Sequence, residues 1–367
     1  MSPSARTRLE STIDALGSFL TSDTFAYILK RLLQGLLTLF LASILCFVII
    51  QLAPGDYIDT LRENPKISPE RIKQLQQQFG LDCTWAVQGV QKWHLPEGLS
   101  TPVCWTGQYS RWLGQILQGN FGTSFVYNRS VSSLLWERVP ATLLLAFSSL
   151  VVTWAIALPL GIIGAVNQNK LSDRVLRVIS YIGQGFPSFI AALVLLIVAQ
   201  NTTPLFPVGD MTSINHEDLT PIGKVVDIVW HMILPTLALS ITGFAGLQRI
   251  TRGQLLDVLR QDYIQTARAK GLPENKVIYV HALRNAVNPL ITLLGFEFAS
   301  LLSGAFITEY FFNWPGLGRL ILQAMQAQDL YLVMASLMIG ATMLIIGNLL
   351  ADLLLKAVDP RIKLGDA

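Results

Sequence analysis

Charged residues are scarce in this 367-residue chain, and residues that could form a metal or nucleotide site are scarcer still. Charged side chains make up 14% and hydrophobic ones 51% of the sequence, outside the proportions of ordinary soluble domains. No histidine or carboxylate cluster lies at zinc spacing beside the three cysteines. No Gly-x-x-x-x-Gly-Lys-Ser/Thr run is present to bind nucleotide phosphates. We therefore expect no metal and no cofactor on this chain, and a lipid bilayer as its solvent.

Catalytic groups are also missing at membrane depth. An intramembrane enzyme would need a nucleophile with a base, or two histidines near a carboxylate. All the histidines lie in connections or at the ends of apolar segments: His94, His216, His231 and His281. The net charge of +3 is small and gives no reason to expect nucleic-acid binding. The sequence thus predicts neither an enzyme nor a nucleic-acid-binding protein.

Long apolar segments are what the sequence does contain. A spanning helix needs about 20 mostly apolar residues to cross a hydrocarbon core of roughly 30 Å. Six segments qualify: Leu32 to Leu52, Ala141 to Val166, Val175 to Ala199, Met232 to Leu247, Leu290 to Thr308 and Leu332 to Leu355. They predict an all-α polytopic membrane protein with six transmembrane helices.

The distribution of Lys and Arg predicts which side each connection faces. Seventeen of these residues fall on the side of the termini and ten on the other, and eight of those ten lie in the long loop 53–139, where the charge rule hardly applies. The informative comparison is therefore seventeen against Lys224 and Arg319. It predicts that both termini are cytoplasmic.

These boundaries divide the chain into four parts. Residues 1–25 form a cytoplasmic tail, or an interfacial helix in which Leu9, Ile13, Leu16 and Leu20 recur at helical spacing. Residues 26–139 hold the first span and the exterior loop, 140–358 form a five-helix core, and 359–367 form a second cytoplasmic tail.

The exterior loop is too long for a bare connection and predicts a small helical cap. One helix is expected to begin at Ser68-Pro69-Glu70 with Ile72, Leu75 and Phe79 on one face. A second is expected from the stripe Tyr109, Trp112, Leu113, Ile116 and Leu117. Both stripes are expected to pack on the membrane or on neighbouring helices.

Cys83 and Cys104 both lie in this exterior loop, whereas Cys46 lies in the first span. An oxidising exterior favours a disulfide between the first two, which would close a loop of about 20 residues and contribute roughly 3 kcal/mol in the chain-entropy model. Two unpaired thiols are the alternative.

The polar segment 251–288, between the fourth and fifth apolar segments, predicts two helices joined at a sharp corner. Leu256, Leu259, Tyr263 and Ala267 are expected on one face of the first helix, and Val277, Val280 and Leu283 on the apolar face of the second. Gly271-Leu272-Pro273 separates them. Such a hairpin can transmit force as a rigid body, or it can merely connect two spans.

Particular residues of this hairpin favour the first interpretation. The run Asp262-Tyr263-Ile264-Gln265-Thr266-Ala267-Arg268-Ala269-Lys270-Gly271-Leu272, followed by His281-Ala282-Leu283-Arg284, resembles the ATPase-docking segment of binding-protein-dependent ABC import permeases. Those permeases generally have Glu-Ala-Ala, three residues, Gly, nine residues and Ile-x-Leu-Pro. Here Gln265-Thr266-Ala267 replaces Glu-Ala-Ala, Gly271 is kept, and His281-Ala282-Leu283-Arg284 replaces Ile-x-Leu-Pro. Both departures look like the oligopeptide, dipeptide and nickel branch, in the subunit type with a long exterior loop.

The resemblance covers about 330 residues, from Tyr27 to Lys363. It includes these motifs: Leu52-Ala53-Pro54-Gly55-Asp56, Gly122-Thr123-Ser124, Arg138-Val139-Pro140-Ala141-Thr142-Leu143, Phe186-Pro187-Ser188-Phe189, Trp314-Pro315-Gly316-Leu317-Gly318-Arg319-Leu320 and Asp359-Pro360-Arg361. The first 25 residues and the stretch from Cys83 to Thr106, which looks like an insertion, do not fit.

The resemblance implies a set of partners: a second permease subunit, two cytoplasmic ATPases that bind ATP and Mg²⁺, and an exterior substrate-binding protein. It implies a bacterial inner-membrane location and the import of short peptides, with nickel chelates, glutathione or oligosaccharides as the alternative. It also implies that these residues contact the ATPases: Gln265, Thr266, Ala267, Ala269, Gly271, Leu272, Pro273, His281 and Arg284. A passive channel would offer no reason for the hairpin.

Glu297 lies inside the fifth apolar segment, where a charge costs roughly 2.5 to 3.5 kcal/mol on insertion scales. We expect it to face the bundle interior, either as a contact for the cationic end of a passing peptide or as a paired structural residue. Gln184 and Ser188 are assigned to the same translocation path. Glu309 is expected near the exterior interface and solvated.

Overall fold

A computed structural model describes residues 23–52, 62, 68–78, 100–202, 205–291, 293–294, 297, 301 and 305–358. Within these ranges the regular elements are helices, and one isolated bridge joins Thr123 to Ser130. The tails 1–22 and 359–367 lie outside the described residues, as do nine of the 19 residues of the fifth predicted span, Leu290 to Thr308.

Twelve helices in the described ranges are numbered in chain order. They are α1 (Asp23–Leu52), α2 (Pro69–Gln78), α3 (Ser100–Leu117), α4 (Val131–Val166), α5 (Leu171–Gly185), α6 (Ser188–Asn201), α7 (Pro221–Leu259), α8 (Asp262–Ala269), α9, α10 (Phe306–Phe311), α11 (Leu317–Gln326) and α12 (Leu330–Val358). Helix α9 starts as Glu274–Lys276, continues as the π-helical turn Val277–Ala282 and ends as Leu283–Ala286.

Four of the helices are long and apolar enough to cross a membrane: the segment Ala26–Leu52 of α1, α4, α7 and the segment Leu330–Leu353 of α12. They correspond to the first, second, fourth and sixth predicted spans. The fourth is much longer than predicted, because α7 continues well beyond the apolar segment at both ends.

The third predicted span is broken rather than continuous. Helices α5 and α6 meet at an angle of 100°. Pro187 removes a backbone N–H and disfavours helical geometry in the residue before it. Phe186 is accordingly extended, with φ −96° and ψ 110°. The pair counts as one further span only if the two bent halves are taken together.

Helix α7 occupies the centre of the bundle, where α4, α5 and α6 pack around it. Small residues permit the closest approaches. A Cβ at Gly161 of α4 would lie 2.6 Å from the Cβ of Thr251, so α4 and α7 could not remain this close with a larger residue there. A cluster of buried hydrophobic side chains, including Leu134, Leu320 and Leu332, joins α4 to α11 and α12.

The loop predicted to form an exterior cap contains the two expected helices, α2 and α3. The second predicted stripe packs inward: Trp112 is 3% exposed and lies in a cluster with Phe47 of α1 and Met334 of α12. The hydroxyl groups of Tyr109 and Ser43 are 2.7 Å apart. Leu117, expected in that stripe, is instead exposed at the end of α3, where the chain turns away from the core.

The other cap predictions fall partly outside the described residues. Ile72 of α2 is buried, whereas nothing is described for the side chains of Leu75 and Phe79. Cys104 is disulfide-bonded and Cys46 is a free thiol. Cys83, the expected partner of Cys104, lies outside the described residues.

Glu309 is fully buried, so the expectation that it is solvated was wrong. Its carboxylate accepts hydrogen bonds from the Thr142 hydroxyl at 2.7 Å, from Gly318 N–H at 2.7 Å and from Arg319 N–H at 3.2 Å. It thereby satisfies the free backbone donors at the start of α11. A Cβ at Gly316 would overlap this carboxylate. This explains why the first glycine of the Trp-Pro-Gly-Leu-Gly turn has no side chain.

We predict that Glu309→Ala lowers the free energy of unfolding by roughly 2 to 4 kcal/mol, because two backbone N–H groups and a buried hydroxyl lose their shared hydrogen-bond acceptor. Thermal unfolding in detergent measures this. Glu137→Ala, which removes an exposed carboxylate on α4, is the matched control and should change stability little. Equal stability of the two variants would contradict the capping role.

Candidate functional site

The polar hairpin is formed by α8 and α9, which meet at a corner centred on Gly271. The φ angle of Gly271 is +74°, a left-handed conformation that glycine adopts without steric cost. Its N–H donates to the Arg268 carbonyl at 2.9 Å, and the Leu272 N–H donates to the Ala267 carbonyl at 3.4 Å. These bonds end α8 and turn the chain into α9.

An ion pair spans this corner. Arg268 Nη2 and Nε donate to the Glu274 carboxylate at 2.7 and 3.2 Å. The hydrogen bond from Arg268 lowers the pKa of Glu274 below its usual value. Both side chains are partly exposed, so the energetic contribution is small, but the pair joins the last turn of α8 to the first turn of α9.

The underside of the hairpin is apolar and packs on the bundle. Ile264 and Ala267 of α8 and Val277 and Ala282 of α9 lie in one buried cluster that includes residues of two long helices: Ala165 of α4, and Leu255 and Leu256 of α7. Close-packed contacts of this kind leave little room for independent movement. The hairpin is therefore seated on the ends of both α4 and α7.

Two details of the predicted hairpin faces were wrong. Tyr263 is exposed and Ile264 takes the buried position, because α7 stops at Leu259 and Gln261 has an extended ψ of 149° before α8 begins. In α9, Val280 is exposed while Ile278 and Ala282 are buried. The π-helical turn Val277–Ala282 has more residues per turn than an α-helix and so shifts the buried face.

The residues expected to contact an ATPase lie on both sides of this hairpin. Six are exposed on its outer surface: Gln265, Thr266, Ala269, Gly271, Pro273 and Arg284. Leu272 and His281 are half-buried, and Ala267 is buried in the underside cluster. A Cβ on Gly271 would meet no atom within 4 Å. The corner thus faces open space, where another protein could contact it.

Glu297, the charged residue of the fifth segment, is half-buried and accepts a hydrogen bond from the Trp154 indole at 2.6 Å. A Cβ on Gly243 of α7 would lie 3.8 Å from the Glu297 Oε1. One helical turn further along α7, a Cβ on Gly246 would lie 3.6 Å from Gln184 Nε2. Glu297 and Gln184 therefore lie beside adjacent turns of α7.

Ser188 is the first residue of α6 and is half-buried. Together with Gln184 it flanks the break between α5 and α6.

The sequence did not predict the contact of Trp154 with Glu297, because it joins positions 143 residues apart. A tryptophan in an apolar segment also does not by itself indicate a polar contact. The sequence also did not predict the charged pair Asp173 and Arg252, discussed below. Within the described ranges no group of three or more His, Cys, Asp or Glu side chains could hold a metal ion.

Comparison with known proteins identifies the family. Residues 157–364 match the family described as the binding-protein-dependent transport system inner membrane component, and residues 24–146 match the N-terminal region described for the same systems. The second match covers α1 from its second residue together with α2 and α3, and the first includes the hairpin.

Named relatives span nearly the whole chain. The oligopeptide transport system permease protein AppB of Bacillus subtilis is 38% identical over 339 residues, which cover 92% of this chain and 99% of that protein. The dipeptide transport system permease protein DppB of Escherichia coli is 34% identical over 355 residues, covering 92% and 98%. The glutathione transport system permease protein GsiC of Salmonella choleraesuis is 34% identical over 337 residues, again covering 92% and 98%.

A solved structure shares the fold. The MetNI methionine ABC transporter, in inward-facing conformations, superposes with a TM-score of 0.50 and 16% identity, over 62% of this chain and 96% of the matched chain. The likeness concerns the fold alone. From the two family matches and the near full-length relatives, this chain belongs to the family of binding-protein-dependent transport system inner membrane components.

Proposed function

We propose that this chain is the permease subunit of an ABC importer that moves short peptides into the cytoplasm, driven by ATP hydrolysis on separate subunits. The observation that carries the proposal is the hairpin. Its outer surface is exposed and its underside is packed against α4 and α7. A force applied at Ala267 to Pro273 would therefore reach two membrane helices at once.

The proposal includes partners, because the chain has no phosphate-binding motif of its own. Two cytoplasmic ATPases would bind ATP and Mg²⁺ and dock on the two hairpins of a permease pair. The second permease subunit would be a different chain, giving a heterodimer. An exterior substrate-binding protein would deliver the substrate to the exterior face.

Six membrane spans in a bacterial inner membrane, with both termini in the cytoplasm, complete the proposed topology. Support comes from the four long apolar helices, the bent pair α5 and α6, and the apolar segment Leu290 to Thr308. The Lys and Arg distribution supports the orientation. In this orientation the hairpin is cytoplasmic and α3 is exterior.

Peptides are the substrate class favoured by the names of AppB and DppB, the oligopeptide and dipeptide permease proteins, and the name of GsiC favours the alternative. The second candidate is glutathione or another small solute, such as a nickel chelate or an oligosaccharide. The proposal assigns to Glu297 a contact with the cationic end of a peptide, and the position of its carboxylate beside α7 supports this assignment.

We predict that Gly271→Val uncouples ATP hydrolysis from uptake. A β-branched residue in a left-handed conformation costs about 1 to 2 kcal/mol, so the corner should relax to another geometry. Uptake should fall at least about fivefold while ATP hydrolysis continues. Uptake and phosphate release in proteoliposomes containing the assembled importer measure both quantities.

Gly271→Asn is the matched control, because asparagine tolerates the left-handed conformation and open space surrounds the position. It should retain coupled transport. Normal coupling in Gly271→Val would contradict the docking role, and so would uptake that persists when the ATPase subunits are omitted.

We predict that Glu297→Gln weakens transport of cationic peptides more than that of neutral ones, since the amide keeps the hydrogen-bonding shape but removes the charge. Competition between trilysine and trialanine in the uptake assay measures the selectivity. Trp154→Phe, which removes the indole donor and leaves the carboxylate in place, should retain the preference. Unchanged selectivity in Glu297→Gln would assign the residue a structural role.

We predict that green fluorescent protein fused after Ala367 is fluorescent, since it folds in the cytoplasm. Alkaline phosphatase fused after Asn128 or Ser213 should be active, because both positions are exterior in the proposed topology. Phosphatase activity from a fusion at Ala367 would show that the orientation is reversed.

A further inference from the structure

Helices α5 and α7 are joined by a series of contacts that runs the full length of α5. The α7 members lie about one turn apart, and each meets a residue of the antiparallel α5 or of its C-terminal boundary. From the Lys170 end to the break, the pairs are Asp173 with Arg252, Ser180 with Gln248, Gly183 with Ala245, and Phe186 with Thr242.

The Asp173–Arg252 pair is the strongest of these contacts. Arg252 Nε donates to Asp173 Oδ1 at 2.6 Å, and Nη2 donates to Oδ2 at 2.9 Å. Asp173 is fully buried, and it also accepts the Asn169 N–H at 2.8 Å. A Cβ on Gly164 of α4 would lie 3.3 Å from Arg252 Cδ. A bidentate, buried pair of this kind fixes both distance and orientation.

The other contacts continue this attachment to the end of α5. Ser180 donates a hydrogen bond to the Gln248 side chain. Gly183 allows close approach, since a Cβ there would lie 3.0 Å from the Cβ of Ala245. The Thr242 hydroxyl donates to the Phe186 carbonyl at 3.4 Å. Helix α5 is therefore attached to α7 at both ends and in the middle.

One end of this interface lies next to the hairpin, and the other end lies at the break between α5 and α6. Arg252 lies one turn before Leu255 and Leu256, on which the hairpin packs. Phe186 lies at the 100° break between α5 and α6, flanked by Gln184 and Ser188. Much of the outer face of α5 is exposed, including Val178, Tyr181 and Ile182. In the described residues α7 and α4 are the elements that hold α5 in place.

We propose that Asp173 and Arg252 are positioning residues of the transport cycle. They hold α5 to α7, so that a displacement of the hairpin moves α5 as well and reaches the break at Phe186–Pro187. Neither residue touches substrate or nucleotide in this role. The inference rests on the proposed function, because it requires an ATPase to displace the hairpin.

Two spin-label distances separate the steps. Spin labels at Tyr279→Cys and Glu137→Cys measure the distance between the hairpin and α4. Labels at Ile182→Cys and Glu137→Cys measure the distance between the end of α5, next to the break, and α4. All three side chains are exposed, and Cys46→Ser removes the free thiol. The complete importer in proteoliposomes is measured without nucleotide and after trapping with ATP and vanadate, which requires no knowledge of the natural substrate.

In the otherwise unchanged protein, both distances should shift on trapping. In Asp173→Asn the hairpin distance should still shift, while the shifted population at the break falls at least about fivefold. Arg252→Lys keeps the charge but loses the two-pronged hydrogen bond, so it should give an intermediate population at the break. It provides the test if Asp173→Asn does not assemble.

Asp352→Asn is the matched control. It breaks the 3.0 Å ion pair between Arg31 of α1 and Asp352 of α12, which also joins two helices but lies outside the α5–α7 interface. Both shifts should persist in it. Loss of the break shift in this control would indicate general loosening of the bundle and overturn the specific role.

Three further outcomes would overturn the role proposed for Asp173 and Arg252. A break that shifts normally in both Asp173→Asn and Arg252→Lys would overturn the inference. A hairpin shift without any break shift in the otherwise unchanged protein would overturn it while leaving the proposed function intact. Absence of the hairpin shift itself would overturn the proposed function and this inference together.

Discussion

The packing of α7 against its neighbours is the constraint on which the rest of the described structure depends. This helix runs for 39 residues without interruption. At one end it supports the hairpin through Leu255 and Leu256, and in the middle it lies beside Glu297 and Gln184. Pro235 is accommodated within it, as membrane helices allow when neighbouring groups satisfy the backbone. The 100° break between α5 and α6 therefore lies beside a continuous central helix.

Buried carboxylates hold those surrounding elements in place. Glu309 accepts the N–H groups at the start of α11, and Asp329 accepts the Leu332 N–H at the start of α12 and the Ser124 hydroxyl at 2.6 Å. Asp173 lies in the first turn of α5. In each case the carboxylate is near the positive end of a helix and has additional donors. In a protein with so few charges, buried acids thus satisfy the backbone N–H groups at the starts of α5, α11 and α12 or of the residues just before them.

The sequence predicted features that depend on composition and local pattern. Segment length and hydropathy located the four long helices, and Gly271 with Pro273 located the corner of the hairpin. The sequence could not predict the burial of a side chain where contacts between distant segments determine it. From the sequence, Glu309 was expected to be solvated, because its three hydrogen-bond donors lie on other helices, α4 and the start of α11. The buried face of α9 depends on a π-helical turn that the apolar spacing does not reveal.

The same distinction explains where the chain can move. The hairpin is stiff because its corner is closed by hydrogen bonds and an ion pair and its underside is close-packed. The break at Phe186–Pro187 differs, because Pro187 contributes no N–H and the Phe186 carbonyl accepts a long hydrogen bond of 3.4 Å from the Thr242 hydroxyl. In the proposed cycle, a displacement passed from the hairpin through α7 to α5 would meet little compliance before that break. The break would then act as a local hinge, and its proline lies at the far end of the α5–α7 interface from the hairpin.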